Sequence, residues 1–294
     1  MTSTVVNGYP RPDYQRVNLQ WESLDGPWDF VFDDADVGLE KSWQLGELPT
    51  QALSKIKVPF VFQCPTSGIN ERGVHEVLWY QREIQDLRSP DDRERGNRLL
   101  LRFGAVDYHA TAWLDGCYIG EHRGGHVPFD LDLTESVNLS GVKGAYKLIV
   151  RVYDSAFDLT QPRGKQYWGP QPEDIYYTPS SGIWQSVWLE NVPSLRIADS
   201  SHGTIIRSND IERGVIDARI ATQGRRAQQK CSVEIEVSFY GLLVGSSGPR
   251  DLPREENFVR FDHSMRLSNE QLQKLPAELL QDAPLQDARY VEAR

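Results

Sequence analysis

Two antiparallel β-sandwiches in tandem are the fold that this sequence predicts. A larger, jelly-roll-like sandwich is expected over residues 10–195 and a smaller, immunoglobulin-like one over residues 196–294. Three observations carry the expectation. Short runs rich in β-branched and aromatic residues recur, broken by Gly, Pro, Asn and Asp. No ten-residue apolar stripe at helical spacing occurs before Leu195. The composition also changes along the chain. Of 30 Phe, Trp and Tyr residues, 25 precede Leu195, and all eight tryptophans lie between Trp21 and Trp188. The formal charge is −9 up to Leu195 and −1 after it.

The strands of the first part are expected at residues 28–32 (WDFVF), 56–62 (IKVPFVF), 77–84 (VLWYQREI), 98–103 (RLLLRF), 110–114 (ATAWL), 147–153 (KLIVRVY) and 186–190 (SVWLE). Residues 77–84 alternate only loosely. Residues 147–153 alternate well, with Leu148, Val150 and Val152 on one face. Asp115-Gly116 signals a hairpin, because a type I′ turn needs positive φ at both central residues. Residues 89–97 (SPDDRERGN) read as a charged loop. Such short strands with turn punctuation suit a sandwich or jelly roll. In the second part, strands are expected at 194–198, 203–206, 215–221, 232–240 and 257–261. Val233, Ile235, Val237 and Phe239 alternate with Glu234, Glu236 and Ser238, so one face is buried. Ser268 and Gln271 form a capping-box pattern ahead of Leu272, Leu275, Leu279 and Leu280, which predicts a short helix broken by Pro276 and Pro284.

Charge and motifs exclude several function classes. A net charge of −10 without a basic tract argues against nucleic acid or an anionic membrane as partner. No apolar run approaches the roughly 18 residues of a membrane span. The first residues lack a signal-peptide core, so the location is expected to be cytoplasmic or is not assignable. Cys64, Cys117 and Cys231 show no CxxC spacing and are expected to be small buried residues. The histidines lack ligand spacing, so neither a metal nor any other cofactor is expected. His126, in GGHVPF, is expected to pack the sandwich with Phe129. Trp184 and Trp188 are expected to be core anchors on one face of a strand.

Four clusters carry a resemblance: PRPDYQRVNLQWESLDGPWDFVFDD (10–34), KVPFVFQCPTSGI (57–69) followed by LWYQRE, AWLDGCYIGEHRGGHVPFDLDLT (112–134), and VYDSAFDLTQPRGKQYW with YYTPSSGIWQSVWLENVP (152–193). In this order they resemble the N-terminal sugar-binding domain of glycoside hydrolase family 2, the family of β-galactosidases, β-glucuronidases and β-mannosidases. The resemblance implies a galactose-binding-like jelly roll followed by an immunoglobulin-like domain. The family's third part is a (β/α)8 barrel carrying both catalytic glutamates, and such a barrel takes roughly 250 residues. The chain as given leaves no room for one. Asn70-Glu71 and Asn269-Glu270 are its Asn-Glu pairs, and neither has the family's acid/base context. Nothing nominates the two carboxyls, roughly 5–5.5 Å apart, of a retaining glycosidase. The chain by itself is therefore expected to be inactive.

The resemblance implies that Asp154, at the end of LIVRVYD, contacts sugar hydroxyls. A carboxylate suits two vicinal hydroxyls as an acceptor; capping of a local turn is the competing role. Arg163, Lys165 and Trp168 follow in QPRGKQYWGP. The two cations suit hydroxyls or a carboxylated sugar, and the indole suits a pyranose face; a solvated loop is the alternative. Asp158 and Asn70 are weaker candidates. The expected partner is carbohydrate, bound weakly by this chain alone. Without a barrel against it, the domain is also expected to self-associate or to recruit a barrel-bearing partner.

Overall fold

The computed structural model describes residues 20–274 except 47, 142–143, 170, 211–214, 255, 265–269 and 271–272. They fall into two compact units, residues 20–192 and residue 193 onward.

The first unit is a jelly-roll-like sandwich. Its strands are β1 (Gln20–Ser23), β2 (Gly26–Phe32), β3 (Ser54–Val58), β4 (Val77–Ile84), β5 (Arg98–Phe103), β6 (Val106–Asp107), β7 (His109–Leu114), β8 (Cys117–Arg123), β9 (Phe129–Asp132), β10 (Tyr146–Tyr153), β11 (Gly182–Ile183) and β12 (Val187–Val192). One sheet has the order β1-β12-β5-β9 and the other β3-β2-β4-β10-β7-β8, while β11 pairs with β6. All of these named pairings are antiparallel. Alternation explains the core. Trp28 and Phe30 of β2, Leu78 and Tyr80 of β4, and Leu148, Val150 and Val152 of β10 join Leu99, Leu101, Phe103, Val187 and Leu189 of the other sheet in one buried cluster.

The opposite parity of the larger sheet is buried too. Val31, Val77, Trp79, Trp113 and Ile149 pack with Trp43 and Leu48 from the segment after β2. This is why β4 alternates loosely in sequence: both of its faces are covered, and Val77 through Tyr80 are all buried. Asp33 pins the covering segment. Its Oδ2 accepts from Trp79 Nε1 at 3.0 Å and from Gly38 N at 2.8 Å, and its Oδ1 accepts from Val37 N at 2.9 Å. A side chain on Gly38 would strike Trp43 and Trp79. The Asp115-Gly116 turn closes β7 and β8 with φ of 47° and 80°, the positive values that Asp-Gly tolerates.

The second unit is an immunoglobulin-like sandwich. Its strands are β13 (Arg196–Ile197), β14 (Ile205–Asp210), β15 (Val215–Gln223), β16 (Ser232–Val233), β17 (Glu236–Phe239), β18 (Leu242–Ser246), β19 (Arg250–Asp251) and β20 (Phe258–Ser264). β15 pairs with β13, β14 and β20, β16 pairs with β19, and β17 pairs with β18. Ile216, Ala218 and Ile220 pack with Val233, Ile235, Val237, Val259 and Phe261. The helix expected from Ser268 onward falls largely outside the described residues.

Several expectations need correction. The run 56–62 stops as a strand at Val58, since Pro59 offers no N–H to a ladder. The charged loop 89–97 holds a short helix, α1 (Pro90–Glu94), whose Ser89 and Asp92 form a reciprocal capping box. Residues 232–240 divide into two short strands with different partners. Trp184 and Trp188 do not share one strand. They are half-buried, with their N–H groups donated to Gly125 O and Glu190 Oε1. His126 is exposed and lies 5.6 Å from the Trp184 ring instead of packing the core. Cys117 is exposed because it follows the hairpin turn, and Cys64 and Cys231 are only partly buried.

Gly182, at the start of β11, packs directly against β4. Its φ is +98°, and a Cβ there would collide with the Tyr80 hydroxyl, whose residue is 0% exposed. Gly182→Ala should therefore destabilise the first unit by about 2–4 kcal/mol, with partial recovery in a Tyr80→Phe background. Urea unfolding followed by Trp fluorescence checks this and reports the first unit alone, because every tryptophan lies there.

Candidate functional site

β10 delivers Asp154 to one end of the first sandwich. The strand ends at Tyr153, and Asp154 N donates to Glu76 O at 2.9 Å, so the carboxylate leaves the sheet at a fixed point. A small cleft opens there. Phe62, Gln63, His75, Asp154, Arg163, Gln166, Tyr167 and Ser181 are among its lining residues. Both Asp154 oxygens have partners: Ser181 Oγ donates to Oδ2 at 2.5 Å, and Gln161 Nε2 donates to Oδ1. Ser181 N in turn donates to Gln63 Oε1 at 3.3 Å. Burial pushes the Asp154 pKa up from its ordinary value and Glu76 adds to the rise, while the Ser181 and Gln161 donors oppose it.

The other expected site residues lie on the long segment between β10 and β11. Arg163 reaches the same cleft as Asp154. It donates to Ala156 O and stands 5.5 Å from the Trp168 ring centroid. Trp168 is 42% exposed and packs with Tyr167 and Tyr176, whose ring centroids lie 4.5 and 5.7 Å away. Lys165 is exposed and does not line the cleft, although its carbonyl accepts from Tyr177 N. Asp158 turns back on its own loop, accepting from Thr160 N and Oγ1 at 2.8 and 2.7 Å. Asn70 adopts φ 55° in the turn after β3 and is absent from the cleft lining. Among the described residues, no three His, Cys, Asp or Glu side chains gather as a metal-ligand set. No helix among them is long and apolar enough to cross a membrane.

A second carboxyl stands behind the first. Asp107 on β6 is 2% exposed and accepts from Gln166 Nε2 at 3.1 Å. Burial pushes its pKa up to about 6; the Asp154 charge adds to the rise, and Gln166 and His126 oppose it. Sequence reasoning missed Asp107, since a lone acid in a buried run carries no motif. Gln161, Gln166 and Ser181 stood inside the quoted motifs without a role, and nothing local singled them out.

The sign of the Asp107 shift sets a testable consequence. The folded pKa lies above the ordinary value of 3.8, so the fold favours the protonated acid. That contribution is fully present below pH 3.8 and is lost as pH rises through about 6. Asp107→Asn keeps an acceptor for Gln166 and removes the charge. Thermal melts should show the variant more stable than the parent above pH 6, by up to about 3 kcal/mol, and not at pH 4.

Comparison with known proteins agrees with this architecture. The family model "Glycosyl hydrolases family 2, sugar binding domain" matches residues 21–193. The chain is 27% identical over 231 residues to β-glucuronidase of Canis lupus familiaris, a match covering 74% of this chain and 34% of that one. It is 28% identical over 217 residues to β-glucuronidase of Rattus norvegicus, covering 68% and 33%. The chain thus spans about a third of the length of these curated relatives. Among solved structures, a β-glucuronidase of an uncultured Clostridium sp. matches with a TM-score of 0.61 and 22% identity, over 87% of this chain and 41% of that one. Ruminococcus gnavus β-glucuronidase in complex with D-glucaro-d-lactam matches with a TM-score of 0.62 and 19% identity, over 87% and 41%. The two structural matches speak for the fold. With its family model spanning more than half of the residues, the chain belongs to glycosyl hydrolase family 2, and residues 21–193 are its sugar-binding domain.

Proposed function

We propose that the first unit supplies one wall of the sugar pocket of a retaining β-glycosidase, with a β-linked glucuronide as the leading substrate class. The observation that carries this reading is the Asp154 carboxylate, held by Ser181 and Gln161 in a cleft that also presents the Arg163 guanidinium. A carboxylate with spare lone pairs accepts from vicinal sugar hydroxyls. The guanidinium suits a sugar hydroxyl or a carboxylated sugar, and Trp168 offers an exposed ring face near it. The β-glucuronidase names of the relatives support a uronate over a neutral sugar. Bond cleavage would need two further carboxyls across the glycosidic bond, roughly 5–5.5 Å apart in a retaining enzyme, supplied by a barrel in a longer chain or in a partner.

Half a pocket binds weakly. Calorimetry with D-glucuronic acid, D-galactose and D-mannose should give a millimolar dissociation constant for the uronate, weakened at least about tenfold by Asp154→Ala. Equal affinity of parent and variant would remove Asp154 from the site. The chain should not turn over a chromogenic β-glucuronide, and steady turnover by a homogeneous preparation would overturn the non-catalytic reading.

A second reading rests on the apolar side chains around the same segment. Phe157, Leu159, Ile175 and Tyr177 are 62, 85, 63 and 61% exposed. Exposed apolar surface of this kind favours association. Sedimentation should show self-association that diminishes in a Phe157→Ser, Leu159→Ser double variant, whereas a monomer at all concentrations would argue against it.

A further inference from the structure

Asp107 and Asp154 do not touch the same groups, yet hydrogen bonds to the adjacent residues Ser180 and Ser181 link them through the backbone. Gln166 Nε2 donates to Asp107 Oδ2 at 3.1 Å, and Gln166 Oε1 accepts from Ser180 N at 2.6 Å and from Ser180 Oγ at 3.3 Å. The next residue, Ser181, donates its hydroxyl to Asp154 Oδ2 at 2.5 Å. Gly182 then pairs with Asp107 itself across β11 and β6. The far side of Asp107 is closed as well, because a side chain on Gly125 would strike its carboxylate.

The chemistry of this link is directional. A primary amide presents a donor on one end and an acceptor on the other. An ionised carboxylate only accepts, so Asp107 compels the NH2 end of Gln166 toward itself and leaves the carbonyl end for Ser180 N–H. Without an acceptor at position 107, Ser180 alone holds the amide, its NH2 end loses its partner, and any flip would set that NH2 against the Ser180 N–H, donor against donor. The groups whose charges act on Asp107 are Asp154 and His126, and Glu76 acts on Asp154 from the position just before β4.

We propose that Asp107 is a positioning residue for the sugar-recognition carboxylate: through the orientation of Gln166 it fixes Ser180 and thereby aims the Ser181 hydroxyl at Asp154. This rests on the reading of Asp154 as the sugar acceptor, but its geometry can be tested without any sugar.

The test compares the full chain with Asp107→Ala, Asp107→Asn and Gln166→Leu. Hydrogen exchange is followed at the Ser180 and Ser181 amides, with Ile149 and Val152 of β10 as internal controls. Asp107→Ala and Gln166→Leu should speed exchange at Ser180 and Ser181 by up to about tenfold and leave the controls unchanged, while Asp107→Asn, which keeps the acceptor, should behave as the parent does. Carboxyl 13C titration of Asp154 supplies a readout that general destabilisation would not move. Asp107→Ala and Asp107→Asn both remove the charge, but only the alanine variant frees Ser181, whose donated bond lowers the Asp154 pKa. The Asp154 midpoint should therefore lie higher in the alanine variant than in the asparagine variant. Parent-like exchange in both Asp107→Ala and Gln166→Leu, or equal Asp154 midpoints in the two Asp107 variants, would overturn the proposal. Gln166→Leu keeps the exchange test decisive if Asp107→Ala fails to fold. Failure of every sugar to bind, with these outcomes intact, would sink the sugar reading and leave the positioning role standing.

Discussion

The first unit depends on the burial of its two central strands, β4 and β10, on both faces. One face of the pair faces the β1-β12-β5-β9 sheet and the other lies under the segment pinned by Asp33. Strands enclosed in this way cannot slip by one residue, since each face must meet a different apolar surface. That rigidity fixes where β10 ends, and so where Asp154 leaves the sheet. It also fixes Tyr80, whose hydroxyl sets the space left to Gly182 and hence the path of the chain into β11. The site is an extension of the core and not a loop laid upon it.

Carboxylates recur as the fasteners of this framework. Asp33 holds the cover of the outer face. Asp25 accepts from Val187 N and Ser186 Oγ at 3.0 and 2.8 Å, joining the start of β2 to β12. Asp107 and Asp154 hold the segment that carries Arg163 and Trp168. Each takes donors from other parts of the chain, and so offsets part of the conformational entropy lost in closing the loop between them. The raised pKa values of Asp25, Asp107 and Asp154 record what burial opposes in such an arrangement. A net-acidic domain thus uses part of its negative charge inside.

Much of the fold was legible in the residues. The runs RLLLRF and KLIVRVY, and the Asp115-Gly116 turn, carry strand and hairpin signals that depend on nearest neighbours alone. Asp154, Arg163 and Trp168 came forward as candidates through their motif. What was not legible is long-range. Trp184 and Trp188 look like core residues until the chain is seen to break between β11 and β12. Asp107 shows no local sign of its role, because its partner Gln166 lies 59 residues away. Lys165, a neighbour in the same motif, is exposed and is not among the residues lining the cleft.

Among the described residues, the groups that hydrogen-bond the Asp154 carboxylate, and the side chains that in turn hold Ser181 and Gln166, all lie between Gln63 and Ser181. The geometry around Asp154 is thus held within one contiguous stretch of chain. The hydrogen bonding of this stretch is self-contained, while its placement is set by the layers that cover β4 and β10. Diversification at the surface of Arg163 and Trp168 can then proceed without re-solving how the acid behind them is held.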